Sequence, residues 1–336
     1  MNAVRSRYLT ACLVVLAAWI NVSRVSAAEP ASAQLPVLTP AAIVSHATQA
    51  TMLAGVRAGS RIVAVGDHGV VLLSDDGGRT HRQAKAVPVD VALTSVSFVD
   101  DRQGWAVGHW GVILRTADGG ETWTLQRSDI RTDRPLFAVN FVDARRGVAV
   151  GLWSLVLVTA DGGAHWQEVT MPVPEGAKKA DLNLLALFAD ARGRIFAAAE
   201  KGMVLRSDDE GLHWSYLSTG YKGSLWTGVA TADGTLVVGG LRGSLYRSGD
   251  DGRSWQRIDT HSKSSITTLA LAGRQIVGVG LDGLVLRSDD DALSFKSDVR
   301  PDRLSLTAVA FDAQGRTVLY SRQGVLKPDG PDAPAK

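Results

Sequence analysis

Six aspartates recur in a repeated turn, and their carboxylates are the first side chains to consider for chemistry. Each stands two residues after a Ser or Thr, and an aromatic residue closes most copies. A repeated carboxylate suggests a metal or sugar site, but each turn belongs to a different repeat unit, so the six cannot converge on one ion. None has the alternating oxygen ligands and final Glu of an EF-hand loop. We predict a structural role for Asp76, Asp118, Asp161, Asp209, Asp250 and Asp290.

The histidines and glycines give no sign of a bound cofactor. Seven histidines are spread along the chain at about one per unit, without the His-x-x-x-His spacing of a metal site. The Gly-Gly pairs belong to the repeated turns, and no Gly-rich phosphate loop opens a helix. We therefore expect no metal and no small-molecule cofactor.

The spacing of the repeated turn predicts the architecture. Its first residues stand 40 to 48 positions apart, which is the period of β-propeller blades. Gly at the bend permits positive φ, the Asp side chain accepts backbone N–H groups, and the aromatic residue fills the space between sheets. Within one unit we predict strands at Leu93–Phe98, Trp105–Val107, Val112–Thr116 and Thr122–Gln126. One unit is thus a four-stranded antiparallel blade.

Seven innermost strands can be recognised, so the sequence predicts an all-β, seven-bladed β-propeller. They begin near Met52, Leu93, Leu136, Leu184, Leu225, Ile266 and Leu306. The seventh unit ends early, after predicted strands at Leu306–Phe311, Thr317–Tyr320 and Val325–Lys327. We expect an N-terminal strand between Leu35 and Val44 to complete it, because closure removes exposed sheet edges. If Thr39–His46 forms a short helix, Leu35–Leu38 would close the ring instead.

Residues 1–28 have the features of a signal peptide. Arg5 and Arg7 precede the apolar stretch Tyr8–Ile20, and Val25-Ser26-Ala27 forms a small-residue cleavage site. The stretch is shorter than the roughly 20 residues that span a bilayer, so we prefer cleavage to an uncleaved anchor. The apolar core follows Cys12 instead of preceding it, which argues against lipidation. We expect an exported, periplasmic protein whose residues 29–336 form a single domain.

Cleavage would change the charge of the chain. The formal charge of +2 includes three signal-peptide arginines, so 33 of the 36 basic residues would remain against 34 acidic ones, a net charge of −1. A nearly neutral chain argues against general nucleic-acid binding. Since Cys12 is the only cysteine, the mature chain would contain no disulfide. We expect a monomer that is stabilised by packing.

The unit at residues 101–123 carries a family resemblance. Its sequence, Asp-Arg-Gln-Gly-Trp-Ala-Val-Gly-His-Trp-Gly-Val-Ile-Leu-Arg-Thr-Ala-Asp-Gly-Gly-Glu-Thr-Trp, resembles the photosystem II stability/assembly factor family of Asp-box (BNR-repeat) propellers, and similar units recur at residues 144–166 and 192–214. The resemblance implies a non-enzymatic, exported or lumenal assembly factor that docks on an integral-membrane protein complex or its assembly intermediate. In photosynthetic relatives the complex is photosystem II and the compartment is the thylakoid lumen. In other bacteria a different envelope complex is implied.

Propellers usually bind partners on the face that carries the turns between second and third strands and the connections between blades. The sequence places a basic and aromatic set there, although the mature chain is nearly neutral. Exposed Trp and Arg are frequent at the energetic centres of interfaces. We predict docking of a protein segment or an anionic membrane surface. The predicted set is His68, His109, Trp110, Trp153, Lys201, Arg242, Arg322, Arg131, Arg134, Lys178, Lys179, Lys222, Lys263 and Arg303.

Several alternatives stay open. Trp110 and Trp153 could instead pack between blades, with the surrounding loops merely polar. Sialidases share the Asp-box propeller, but the first blade lacks their arginine-containing strand motif, and Tyr246 lies in a strand away from a central site. A carbohydrate-active enzyme and a peptide-binding receptor-like module are the alternative functions. The arginines before the turns could support the blades or line a surface; they are Arg115, Arg206, Arg247 and Arg287.

Overall fold

The computed structural model describes residue 35 and residues 37–326 of the 336-residue chain. The predicted signal peptide at residues 1–28 lies outside the described residues, as do residues 327–336. Within the described part of the chain, no helix has the length and apolar character that crossing a membrane requires.

The strands form seven antiparallel sheets, each built from consecutive strands, and the fold is the predicted seven-bladed β-propeller. Blades 1 to 3 comprise β1 Met52–Ala58, β2 Arg61–Gly66, β3 Val71–Ser74, β4 Arg82–Gln83, β5 Leu93–Phe98, β6 Gly104–Gly108, β7 Ile113–Thr116, β8 Thr124–Arg127, β9 Leu136–Phe141, β10 Gly147–Gly151, β11 Val156–Thr159 and β12 Gln167–Glu168. Blades 4 to 7 comprise β13 Leu184–Ala189, β14 Ile195–Ala199, β15 Met203–Ser207, β16 Ser215–Ser218, β17 Leu225–Ala230, β18 Leu236–Gly240, β19 Leu245–Ser248, β20 Gln256–Ile258, β21 Ile266–Ala272, β22 Gln275–Gly280, β23 Leu284–Ser288, β24 Lys296–Val299, β25 Leu306–Phe311, β26 Thr317–Ser321 and β27 Gly324–Val325. The seven predicted starts of the innermost strands coincide with the first residues of β1, β5, β9, β13, β17, β21 and β25.

Short 3-10 turns join the second and third strands of blades 1 to 6. A further 3-10 turn, Ala47–Gln49, precedes β1. The six joining turns are Asp67–Gly69, His109–Gly111, Leu152–Ser154, Glu200–Gly202, Leu241–Gly243 and Leu281–Gly283. In each of them the middle residue has a left-handed backbone, with φ between 53° and 57°. The same side-chain direction is therefore repeated around one face of the ring.

The hydrophobic core lies between the blades. Seven clusters of buried side chains can be distinguished, and each unites two neighbouring blades. The second strands are buried along nearly their whole length, as in β6 and β14, because both faces of each sheet are covered. Between blades 2 and 3, for example, the Trp105 and Phe141 rings stack with centroids 3.5 Å apart. The packing between sheets, more than any single sheet, holds the ring together.

The predicted closure by an N-terminal strand is not found among the described residues. Blade 7 contains three strands, and residues 37–46 form neither a strand nor a helix. This segment instead lies along blade 1. The Ala41 N–H donates to the Val87 carbonyl at 3.0 Å, and the Val44 N–H donates to Gln83 Oε1 at 3.0 Å. These two N–H groups thus have partners in blade 1 and not in blade 7.

Blades 7 and 1 are joined by side chains. Met52, Ile62 and Leu72 of blade 1 pack with Val318 and Tyr320 of blade 7 in one buried cluster. His81 occupies the position that Trp holds in the turns of blades 2 to 5, and its Nε2 lies 3.1 Å from the hydroxyl of the fully buried Tyr320. The Thr307 hydroxyl also donates to the Met52 carbonyl across the seam. Closure therefore depends on packing and a few polar contacts.

We expect Tyr320→Ala to destabilise the propeller by about 3–5 kcal/mol, the range for truncating a large buried aromatic side chain. The side chain is completely buried at the seam, so its loss leaves a cavity between the first and last blades. Chemical denaturation followed by tryptophan fluorescence measures the change in the free energy of unfolding. Trp153→Ala serves as a control, since the Trp153 side chain is 61% exposed. An equal loss in both variants would contradict closure by this cluster.

Candidate functional site

In the six Asp-box turns the Asp carboxylates accept hydrogen bonds from groups of the same turn. In every turn the preceding Ser or Thr hydroxyl donates to the Asp Oδ1 at 2.8–3.0 Å. The backbone N–H four residues after the Asp donates to the same Oδ1 at 2.9–3.1 Å, and the side chain of that residue contacts Oδ2. These hydrogen bonds occupy both carboxylate oxygens, so the turn itself accounts for the repeated aspartate.

The turns also fit tightly against the preceding blade. Gly78 in the first turn has φ +85°, and a Cβ there would collide with Val318 of blade 7. In blades 2, 4 and 5 the closing Trp donates its Nε1–H to a glycine carbonyl of the same turn at 2.8–3.0 Å. Among the described residues, no group of three or more His, Cys, Asp or Glu side chains is arranged to hold a metal ion.

The face opposite the Asp-box turns, here called the turn face, carries the six 3-10 turns, the β26–β27 turn and the connections between blades. The antiparallel strand order places all of these on one side of the ring. The left-handed middle residues of the 3-10 turns are His68, Trp110, Trp153, Lys201, Arg242 and Asp282. Arg322 lies at the corresponding turn of blade 7. The predicted residues of the second-to-third turns thus share one face.

Four exposed cations form a continuous series on blades 4 to 6, here called the basic arc: Lys201, Lys222, Arg242 and Lys263. Their loops are linked by hydrogen bonds from blade to blade. The Gly202 N–H donates to the Gly223 carbonyl at 2.7 Å, the Leu241 N–H to the Ser224 carbonyl at 3.0 Å, and the Arg242 N–H to Ser265 Oγ at 3.1 Å. Within residues 37–326, none of the four cations has a carboxylate within ion-pair distance. Their charges are therefore available to a partner.

Other predicted cations of the turn face have acidic partners in the propeller. Arg134 forms a bidentate pair with Glu168, with both N–O distances 2.8 Å. Lys179 lies 3.5 Å from Asp181. The Arg134 and Lys179 contacts lower the positive charge that blades 1 to 3 present, and the His68 ring also contacts an acid, Asp90, at 3.1 Å. His109, Arg131, Lys178, Arg303 and Arg322 are exposed on the same face.

The two tryptophans of the turn face differ. Trp110 is half-buried and packs against the cluster between blades 1 and 2, as the alternative interpretation of this residue held. Trp153 occupies the equivalent position one blade further along and is 61% exposed. Only Trp153 of this pair can act as a protruding aromatic contact.

The arginines before the Asp-box turns make mainly local contacts. The Arg115 guanidinium lies over the Trp105 ring at 5.7 Å from the centroid, and Arg206 pairs with Asp208 at 2.7 Å. Arg247 donates to Thr235 Oγ1 at 3.3 Å. These contacts favour the blade-supporting alternative over an arginine-lined surface for these three residues.

The channel through the centre of the ring holds a cavity of about 660 Å³. Innermost strands of all seven blades line it with Ser, Thr, Asn and apolar side chains, and none of the lining residues is an acid, a base or a tyrosine. The hydroxyls of Tyr216 and Tyr221 donate to backbone carbonyls elsewhere, and Tyr246 packs against a core cluster. The channel thus offers no side chains for glycosidase acid–base chemistry.

A ring of bulged residues surrounds the channel, and the sequence reasoning missed it. The second residue of each innermost strand is skipped in the pairing with the second strand, so all seven strands carry a β-bulge at the same place. The seven residues are Leu53, Thr94, Phe137, Leu185, Trp226, Thr267 and Thr307. The sequence shows that each of these residues directly follows a predicted strand start. It does not show the bulge that turns the side chain toward the channel.

Fold and site together define the class of this protein as an Asp-box β-propeller with a partly basic turn face. The family model described as "Photosynthesis system II assembly factor YCF48" matches residues 124–270, from blade 2 to blade 6. The chain is therefore similar to the family that the unit at residues 101–123 resembles, and that resemblance is confirmed.

Solved structures support the same fold. One, described as "YCF48 bound to D1 peptide", has 20% sequence identity and a TM-score of 0.68, covering 83% of this chain and 92% of its own. Another, YCF48 from Cyanidioschyzon merolae, has 18% identity and a TM-score of 0.65, covering 86% of this chain and 97% of its own. No curated protein matches the sequence significantly.

We expect the propeller to lose stability as the pH falls from about 4 to about 2. Hydrogen bonds from the Thr80 backbone and side chain lower the pKa of Asp76 to about 2, and donors from Ser254 and Ser294 lower the pKa of Asp250 and Asp290 to about 2. An unfolded Asp has a pKa of about 4, so the folded state favours the charged form. The resulting stabilisation is complete above pH 4 and is lost on acidification.

Melting temperatures measured by circular dichroism between neutral pH and about pH 2 test this expectation. Asp250→Asn is the matched variant, because it removes one titrating turn and should melt earlier at neutral pH with a weaker acid dependence. A melting temperature that stays constant through this range would contradict it.

Proposed function

We propose that this chain is an exported, non-catalytic assembly or stability factor that docks through its turn face on an integral-membrane protein complex. The observation that carries the proposal is the basic arc, whose four exposed cations have no acidic partner in the described residues. A series of unpaired cations on one face, carried by loops that are hydrogen-bonded to one another, is suited to an acidic surface or segment. The resemblance to the assembly factor family points to a membrane complex as the source of that surface.

The similar structure described as YCF48 bound to D1 peptide supports a peptide segment as the bound element. In a photosynthetic host the complex would be photosystem II, and in another host it would be a different envelope complex. Export is supported by the features of residues 1–28 and would place the protein in the periplasm or a thylakoid lumen.

The channel supports a binding function over catalysis. A glycosidase of the Asp-box class needs convergent acidic and basic side chains or a tyrosine nucleophile at the centre of the ring. The lining residues are instead neutral, and they provide shape and apolar surface without proton transfer. We therefore do not propose the carbohydrate-active alternative.

Affinity capture from the native membrane tests the proposal. The tagged protein is expected to co-purify with an integral-membrane complex, and Lys222→Gln/Arg242→Gln should weaken capture about twofold to thirtyfold, since each exposed pair contributes about 0.2–1 kcal/mol. The loss should diminish at high salt, where exposed charges are screened.

The matched control is Arg79→Gln/Arg253→Gln, which removes two exposed arginines from the Asp-box face. This variant should capture the complex as the unaltered protein does. Equal capture by both double variants would contradict docking through the turn face, and recovery of only soluble saccharides or secreted peptides would favour the alternative functions.

A further inference from the structure

The seven bulged residues around the channel fall into two groups. The hydroxyls of Thr94, Thr267 and Thr307 donate to the carbonyls of Leu136, Leu306 and Met52, which begin the innermost strands of the next blades. Threonine at this position therefore links neighbouring blades. Leucine and phenylalanine have no side-chain donor, and Trp226 makes no such hydrogen bond among the described residues, so a different reason is needed where these residues occur.

The other four bulged residues are large and apolar: Leu53, Phe137, Leu185 and Trp226. All four are half-buried and line the channel cavity. None of them belongs to the seven clusters that pack the blades together, nor to the residues packed against those clusters. Their apolar surface faces a cavity of about 660 Å³ and does not contribute to the packing between blades. Unused apolar surface in a concave site is characteristic of ligand pockets.

Three of these residues lie on consecutive blades next to the basic arc. Phe137, Leu185 and Trp226 are carried by blades 3, 4 and 5. Blade 4 also carries Lys201, and Trp226 follows Lys222 by four residues, since the connection that bears Lys222 leads directly into β17. Each innermost strand begins on the turn face, so the bulged residues surround the mouth of the channel on that face. Apolar and cationic groups therefore border the same opening.

The acidic groups in the loops next to the basic arc are already engaged. Glu200 accepts hydrogen bonds from the backbone and side-chain nitrogens of Asn183 at 3.0 and 3.1 Å. Asp259 lies 3.1 Å from His261, and Asp282 accepts a hydrogen bond from the Ser264 hydroxyl. These contacts leave the four cations of the basic arc without a carboxylate partner among the described residues.

We propose that the mouth of the channel is a pocket for an apolar side chain of an acidic peptide segment. The apolar side chain enters between Phe137, Leu185 and Trp226, while carboxylates of the same segment pair with the basic arc. The positive charge of the basic arc favours an acidic segment. Because the apolar residues are recessed, they can contact only a side chain that protrudes from that segment. A flat membrane surface would instead engage projecting residues such as Trp153 and would leave the recessed apolar residues without a partner. This inference rests on the proposed function and adds the kind of segment that the turn face accepts.

Fluorescence anisotropy with two labelled acidic peptides tests the proposal on the purified protein. One peptide carries a central Leu-Phe pair between its acidic residues, and the other carries Ser-Ser at the same place. Trp226→Ala should weaken binding of the Leu-Phe peptide about tenfold, as expected for a buried aromatic contact, and should leave the Ser-Ser peptide unaffected. Lys222→Gln/Arg242→Gln should weaken binding of both peptides.

Two further variants keep the result interpretable. Leu293→Ala removes an apolar side chain that is 69% exposed in the Asp-box turn of blade 6, on the face opposite the channel mouth, and should leave both affinities unchanged. Leu185→Gln alters the pocket with little change in volume and provides a second test if the Trp226 variant melts early.

Unchanged affinity of the Trp226 and Leu185 variants for the Leu-Phe peptide would overturn the pocket while leaving the basic docking face intact. Insensitivity to the Lys222 and Arg242 substitutions would overturn the docking face as well. Binding to vesicles of anionic lipid, with neither peptide bound, would overturn the inference in favour of a membrane surface.

Discussion

The structure depends on the burial of both faces of every blade against its neighbours. Strands such as β6 and β14 are apolar and buried along their full length, so an isolated blade would expose two apolar surfaces to water. Packing side by side covers these surfaces only when the first blade also meets the last. The seven inter-blade clusters, including the one that joins Met52 to Tyr320, show that the ring satisfies this requirement at every interface.

The two faces of the ring differ in their chemistry. The Asp-box turns lie on one side, where carboxylate, hydroxyl and backbone groups satisfy each other within each turn. The connections and 3-10 turns lie on the other side, and the side chains of Lys201 and Arg242 take no part in the hydrogen bonds that link their loops. The fold therefore fixes the position of residues such as Lys201 and Arg242 without fixing their identity. Variation on the turn face can change the partner while the ring stays the same.

The sequence predicted the ring well because a single turn, repeated six times, sets the period and locates every innermost strand. The predicted closing strand is not found among the described residues, where Ala41 and Val44 have partners at Val87 and Gln83, which lie far away in the sequence. The predicted residues of the turns and connections lie on one face of the ring, but the pairing of Arg134 with Glu168 depends on contacts across 34 positions that no local pattern shows. The channel pocket was missed for a similar reason, since a bulge shows only when two strands pair.

Among the described residues the first and last blades share no strand, and this has a consequence for how the gene of such a protein can evolve. Every described sheet is made from one unbroken stretch of chain, and no described blade borrows a strand from the other end of the sequence. A gene segment that encodes one repeat therefore encodes one whole structural module. Duplication, deletion or exchange of that segment would add, remove or replace a complete blade with its loops. Circular permutation with the new chain ends in a connection between blades would leave each sheet intact.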